Sequence, residues 1–470
     1  MMLLSEDKIR DIDLAGRRVL ERVGLKILDQ VFLETLKTSG CQVDLDSQTV
    51  RFPEAFLDQT LSEAPSQFTL CSRDGQYDLN LGAGNVYFGN GGRVFQVLDT
   101  ATGEYRPTVL KDVVQTANLV NDLEHINFYI IACQAHDLDP AYYHLNDFFY
   151  ALNHTTKHVM GGCDTFDGIK QVWELTSFLA GGEEKFRQKP FVSIITNPIS
   201  PLTVDRTTLQ ILEFCSVKGI PVTFAPAPIA GVTAPVSLAG ALAQMHAEAL
   251  AGVALSQFFS PGAKVMYGSV PMAMDLRNMN LTTGSAEVAM MNAVAVRLAK
   301  LYDLPIYASA GLTESKSSDL QAGLEKAISC LLVGLAGADY VHLAAGMLDS
   351  GNSISYEQYV IDDEILGMIH RILAGIDVNG DTIGFSCIEK IGPGGSFVTD
   401  DHTVEYMFQE CFYPQLAVRS NFDQWEGSNR PTLLSRASAK IQEWRDNQRS
   451  VMDPKLISKI KMKFPQIVDL

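Results

Sequence analysis

Eight cysteines are present, yet no two form a C-x-x-C pair, which removes the commonest thiolate zinc pattern and thioredoxin-like redox chemistry. No H-E-x-x-H occurs, so the helical pair of imidazole ligands with a general base is missing too. The glycine-rich stretches GNGGR (89–93) and GPGG (392–395) lack the lysine that follows a phosphate-cradling loop. GAGNVYFG (82–89) lacks the glycine spacing of a dinucleotide fingerprint and comes before its strand rather than after it. Positive charge is in deficit: 37 Lys and Arg stand against 55 Asp and Glu, a formal net charge of −18. That balance argues against nucleic-acid backbone binding, which needs clustered cations. The opening MMLLSEDKIR mixes acids with bases and carries no secretory pattern. Scattered single cysteines then read as reduced, buried thiols of a cytoplasmic protein.

One apolar run, ISCLLVGLAGADYVHLAAGML (328–348), is long enough to span a bilayer. Gly337-Ala338-Asp339 interrupts it where a helix would give way to a strand, so helix, turn and buried strand are expected and no membrane span.

What the sequence does contain is repetition of one kind. From Asn85 onward, short apolar, β-rich runs recur: NVYFGN (85–90), INFYIIAC (126–133), HVMGGCD (158–164), FVSIITN (191–197), VTFAPAP (222–228), KVMYGSVP (264–271), IYASAGL (306–312) and YVHLAAG (340–346). Most are separated by helical spacing, as in 169–180, 207–217, 237–258, 287–302 and 319–336. Fully buried strands alternating with helices imply right-handed β-α units and a parallel sheet. Eight of them favour a closed (β/α)8 TIM barrel over an open sheet. The expected layout is a helical N-terminal extension over 1–84, the barrel over 85–380, and a C-terminal segment over 381–470 packed on the barrel.

Nearly every strand run ends in small residues, among them Gly161-Gly162, Asn197-Pro198, Gly268-Ser269 and Ala345-Gly346. At the carboxyl face of a barrel, small residues leave room for a ligand above the packed interior. Tyr87, Phe88, Phe95, Tyr129 and Tyr267 lie on or beside the strands, with Arg93, Asp275, Arg277 and His342 nearby in sequence. Aromatic rings with one carboxylate make a site for a quaternary ammonium, each ring face contributing roughly 0.5–2 kcal/mol. On spacing alone, packing of the same rings around the barrel rim is the favoured account of them.

Several longer stretches carry a resemblance. They are APAPIAGVTAPVSLAGALAQMHAEALAGVALSQFFSPGAKVMYG (225–268), DLQAGLEK (319–326), AAGMLDSG (344–351), EQYVIDDEI (357–365), and GPGGSFVTDDHTVEYMFQECFYPQLAVR (392–419) ahead of WEGSN. In order and spacing they resemble the trimethylamine methyltransferase family, barrels that methylate corrinoid proteins. The family archetype carries pyrrolysine in the loop after the seventh strand. The corresponding loop here, Leu312 to Asp319, holds ordinary residues, so the chain resembles the non-pyrrolysine branch, similar to glycine betaine methyltransferase.

The resemblance implies transfer of one methyl from a quaternary amine, glycine betaine or a related betaine, to the Co(I) centre of a cognate corrinoid protein. The chain then needs no nucleophile, no pyrrolysine and no metal of its own. Asp275 with the aromatic residues Tyr87 and Phe95 is expected to hold the ammonium. His342, with Arg277 or Arg93, is expected to hold the carboxylate, and Asn197 to line the pocket. A homo-oligomer is expected, with no membrane or nucleic-acid partner. Two other readings stay open: a zinc-dependent corrinoid methyltransferase using Cys163 and a histidine, and a betaine-binding scaffold without turnover.

Overall fold

The computed structural model describes residues 3–445 and 449–470. Its centre is a sheet of eight strands: β1 Tyr87–Asn90, β2 Tyr129–Ile130, β3 Val159–Gly162, β4 Val192–Thr196, β5 Val222–Phe224, β6 Val265–Ser269, β7 Ile306–Ser309 and β8 Tyr340–Ala345. Each of the eight apolar runs supplies one strand. Neighbours pair in parallel in chain order, β8 returns to pair with β1, and parallel bridges Gly89–Phe128 and Val94–Cys133 join β1 to β2. The sheet is therefore a closed barrel.

Eight helices follow the strands: α1 Leu110–Asp122, α2 Tyr143–His154, α3 Phe166–Ala180, α4 Arg206–Lys218, α5 Leu238–Phe259, α6 Ala286–Lys300, α7 Leu320–Ala336 and α8 Tyr356–Leu373. Local chemistry sets several boundaries. Asp319 accepts a hydrogen bond from Ala322 N at 3.0 Å to start α7, and Gly337, at φ +82°, ends it. β8 starts three residues later, so the apolar run 328–348 is helix, turn and strand as expected. Among the described residues, α5 is long and apolar enough to cross a membrane, but 78% of its most apolar window is buried inside the protein.

Strand parity divides the side chains into two layers. Phe128, Ile130, Met160, Met266, Tyr307 and Tyr340 point inward and form their own cluster. Their neighbours Phe88, Tyr129, Phe224 and Tyr267 belong to the main core between strands and helices. Inside, Phe128 stacks on Tyr340 with centroids 3.6 Å apart, and Tyr340 on Tyr307 at 5.5 Å. A hairpin, Phe68–Leu70 with Leu79–Leu81, presses its leucines into the same cluster. Asp339 Oδ1 accepts from Gly82 N at 2.7 Å and Oδ2 from Ile306 N at 3.0 Å, fixing this plug to the amino end of the barrel.

The helices Glu6–Arg18 and Glu54–Ser62 pack on α5. Gly16 lies so close to His246 that a Cβ there would meet the imidazole at 2.8 Å. His246 bridges Asp13, at 2.9 Å, to Tyr267, at 2.8 Å. At the other end of the chain, Glu364 accepts the N–H groups of Gln415, Leu416 and Ala417, and helix Leu433–Arg445 lies on α8.

The carboxyl ends of β7 and β8 are tied together by a buried ion pair. Lys326 Nζ donates to Gly311 O at 2.6 Å and meets Asp362 at 3.0 Å, and Asp362 accepts from Gly346 N at 2.7 Å. Removing one member of such a pair strands a buried charge, typically at about 3–5 kcal/mol. It fixes the strand ends on which the site is built.

Candidate functional site

Above the aromatic layer, at the carboxyl end of the strands, lies a cavity of about 580 Å³. Gly92, Arg93, Gly162, Cys163, Asp164, Thr196, Asn197, Tyr307, His342 and Leu343 contribute to its wall. Gly92 is required there by close approach, since a Cβ would sit 2.0 Å from Ile131 O. The end of β8 is irregular: its register against β1 shifts between Val341 and Ala345, and Leu343 has φ +67°. A bulge of this kind turns successive side chains to one side, and His342 and Leu343 both line the cavity.

The polar wall has two parts. On one side Arg93 Nη1 contacts Asp164 Oδ2 at 2.8 Å, and Tyr143 OH also donates to that oxygen. The guanidinium lies 4.9 Å from the Tyr143 ring centroid. Burial would raise the Asp164 carboxyl, but the Tyr143 hydrogen bond and the Arg93 charge bring it below its usual range. Burial likewise opposes the Arg93 charge, and Tyr143 and Asp164 overcome it. The two residues therefore stand as a cation and an anion. His144 Nε2 accepts from Asp164 N at 2.9 Å, and burial with the Arg93 charge pushes that imidazole down to about 4, so it is neutral.

On the other side His342 stacks on Tyr307, centroids 3.9 Å apart and planes 22° off parallel, with Nε2 sharing a hydrogen bond with Ser309 Oγ at 2.6 Å. Burial drives His342 well below its ordinary pKa, so this wall is neutral. Among the described residues no group of three or more His, Cys, Asp or Glu is gathered as a metal would require. Cys163 lines the cavity as a single thiol, raised by burial.

Of the residues expected from sequence, Arg93, Asn197 and His342 meet in this cavity. The others lie elsewhere. Tyr87 starts β1 at the closed end, where its hydroxyl accepts from Asn80 N at 3.1 Å. Phe95 is 52% exposed and packs edge-on against His136. Asp275 ends the strand Met272–Asp275 and Arg277 sits in the turn before Asn280–Thr282, the two bound to each other through Arg277 Nε at 2.9 Å and Nη2 at 2.8 Å. The Arg277 side chain is 91% exposed, and neither residue lines the cavity. Phe88, Tyr129 and Tyr267 face the helices. No aromatic cage is assembled from the expected rings, and Tyr307 is the ring that faces the space. Tyr307 and Asp164 went unread in the sequence, although Tyr307 shares the inward parity of Tyr340 and His342.

The polar loop Leu312 to Asp319 is also placed away from the cavity wall. Glu314 accepts from Gly284 N at 2.7 Å and from Thr283 Oγ1 at 2.9 Å, and Glu325 accepts from Glu314 N at 3.1 Å. Glu314 and Asp319 thereby clasp the starts of α6 and α7.

A closed eight-stranded barrel whose carboxyl end opens over a small polar cavity is a barrel built for small-molecule chemistry. The chain belongs to the trimethylamine methyltransferase family, whose model matches residues 1–464. It is 32% identical over 433 residues to the trimethylamine methyltransferase MttB of Desulfitobacterium hafniense (strain DSM 10664 / DCB-2), covering 92% of this chain and 87% of that one. It is 31% identical over 464 residues to the glycine betaine methyltransferase of Desulfitobacterium hafniense (strain Y51), covering 98% and 95%. The crystal structure of the Methanosarcina barkeri monomethylamine methyltransferase (MtmB) superposes with a TM-score of 0.52 at 13% identity, over 93% of this chain and 92% of that one. That likeness concerns the fold.

Proposed function

We propose that this protein, a methyltransferase by family, takes one methyl group from a quaternary amine, glycine betaine or a related betaine, and passes it to a cognate corrinoid protein. Reduced corrinoid cobalt supplies the nucleophile, so this chain needs to bind, orient and shield its substrate. The observation that carries the reading is the wall itself: a fixed cation and anion on one side, Arg93 and Asp164, face a neutral ring pair on the other, Tyr307 and His342. A zwitterion with a methylated cationic nitrogen matches both sides.

Such a nitrogen already carries the charge that makes it a leaving group, and it departs as a neutral amine. Positioning the methyl in line with the acceptor is then the main task left to the protein. Trimethylamine has no fixed charge, and its protonated form presents an N–H that needs an acceptor. The loop Leu312 to Asp319, with Glu314 and Asp319 engaged in the clasp and away from the cavity wall, supports the same substrate class. A cytoplasmic location and self-association belong to this proposal. Eight free cysteines support the first, and the exposed apolar side chains of Ile376, Phe385, Val398, Phe408 and Phe422 support the second.

The test is methylation of a reduced corrinoid protein, followed by cobalt absorbance, with glycine betaine, dimethylglycine and trimethylamine at matched concentrations. One methyl per glycine betaine is expected, with negligible transfer from the other two. Comparable rates for all three would overturn the assignment.

A further inference from the structure

The charged groups around the cavity differ in how far their hydrogen bonds are already met. Asp164 Oδ2 accepts from Arg93 Nη1 and from the Tyr143 hydroxyl. Arg277 directs Nε and Nη2 to Asp275, outside the cavity. His342 shares its Nε2 with Ser309 and is neutral, so it offers no positive charge to an anion. Arg93 Nη2 is different. It is buried, and no acceptor among the described residues meets it.

A buried guanidinium N–H is poorly tolerated without an acceptor, and Arg93 stands in the wall of a space large enough for a small molecule. The rest of the side chain is held: Nη1 is fixed by Asp164, and the Tyr143 ring lies against the guanidinium at 4.9 Å. The fork is thus oriented before any ligand arrives, with the Nη2 amino group left over.

We propose that Arg93 is the specificity-determining residue that anchors the anionic group of the substrate, with Nη2 donating to its carboxylate while Asp164 and Tyr143 hold the guanidinium in place. This deepens the betaine reading and rests on it. It predicts that the protein selects methylated amines bearing a carboxylate over simple tetraalkylammonium ions.

Calorimetric titration of the full chain with three probes tests it: glycine betaine, 3,3-dimethylbutyrate, which has the same shape and carboxylate but a neutral tert-butyl group, and tetramethylammonium. Arg93→Gln should weaken both carboxylates roughly ten- to a hundredfold and leave tetramethylammonium within about twofold. Arg93→Lys should fall between, keeping the charge but losing the planar fork. Asp164→Asn, which loosens the hold on the guanidinium but leaves Nη2 in place, should weaken both carboxylates less than Arg93→Gln does. Equal weakening of all three probes by Arg93→Gln would make Arg93 a structural residue and overturn the inference. Unchanged carboxylate affinity would overturn it too, as would failure of the wild-type protein to bind either carboxylate at millimolar concentration. Arg93-dependent binding of 3,3-dimethylbutyrate, without methyl transfer from glycine betaine in the cobalt assay, would leave the anchor standing and remove the betaine assignment.

Discussion

Tyr340 and His342 stand two residues apart on β8 and face the same interior, as Tyr307 and Ser309 do on β7. At the lower level, Phe128, Tyr340 and Tyr307 stack into a buried layer closed from beneath by the leucines of the Phe68–Leu70 and Leu79–Leu81 hairpin. At the upper level the inward positions are Gly162, Ile195, Ser309 and His342, and space opens above them. One strand therefore serves two purposes in successive inward positions: bulk that fills the barrel, then small or polar groups that leave a cavity. The lower layer should determine stability, and the upper layer should determine binding.

Truncation gives the largest expected effect. Tyr340→Ala removes a ring that is fully buried between two others, a loss of about 3–5 kcal/mol for a large aromatic core residue. The Tyr340 hydroxyl has no hydrogen-bond partner among the described residues. Tyr340→Phe should therefore be neutral or stabilising, since it removes an unsatisfied buried group. His342→Ala should cost less stability and weaken glycine betaine about tenfold, by removing the ring stacked on Tyr307. Denaturant unfolding and calorimetry on the same samples separate the two levels. If Tyr340→Phe weakened the ligand as much as His342→Ala, the two layers would be one site.

The next effect is smaller and depends on pH. His158 belongs to the closed end: its Nδ1 donates to Cys71 O at 2.9 Å and its Nε2 accepts from Ser193 Oγ at 2.8 Å, which fixes the neutral tautomer. Burial pushes it down to about 4. The unfolded chain, with an ordinary imidazole near 6.5, therefore binds more protons than the folded one between those values. Stability is full above about pH 6.5 and declines as pH falls toward 4, by about 1.4 kcal/mol per pH unit for each such proton. Asp147 acts with the opposite sign, because burial raises its carboxyl to about 8 and its ionisation opposes folding as pH rises. Comparing wild type with His158→Gln across pH 4–7 isolates the imidazole from such carboxyls. The variant should show a pH slope shallower by one proton. Parallel slopes would mean that His158 is already open to protonation in the folded barrel.

The fold was legible in the sequence because burial on both faces makes a barrel strand a continuous apolar run, and eight such runs with helical spacing have few alternative arrangements. The site was less legible for the same reason. A strand that is apolar on both faces shows no alternation, so Tyr267 and Tyr307 look alike as letters. One faces His246 among the helices and the other faces the cavity. Arg93 and His342 could be proposed because each adjoins or lies within a strand. Asp164 could not be given its role, because that role depends on Arg93 and Tyr143 reaching it from different strand-helix units. Asp275 and Arg277 misled in the opposite way: they follow β6 in sequence, but a short hairpin carries them off.

That hairpin supplies the smallest expected effect. Asp275 is held at about 2 by the hydrogen bonds of Arg277, so the pair is fully ionised at neutral pH. Both partners lie at the protein surface, where water and salt screen the attraction. Asp275→Ala and Arg277→Ala should leave the melting temperature unchanged within error and glycine betaine affinity within about twofold. Arg93→Gln, in the cavity wall, should not. A substantial loss of affinity from either hairpin variant would show that the turn folds down over bound substrate. The upper layer would then gain a movable wall that this conformation does not display, and the contrast between a closed end and an open end would hold only for the empty barrel.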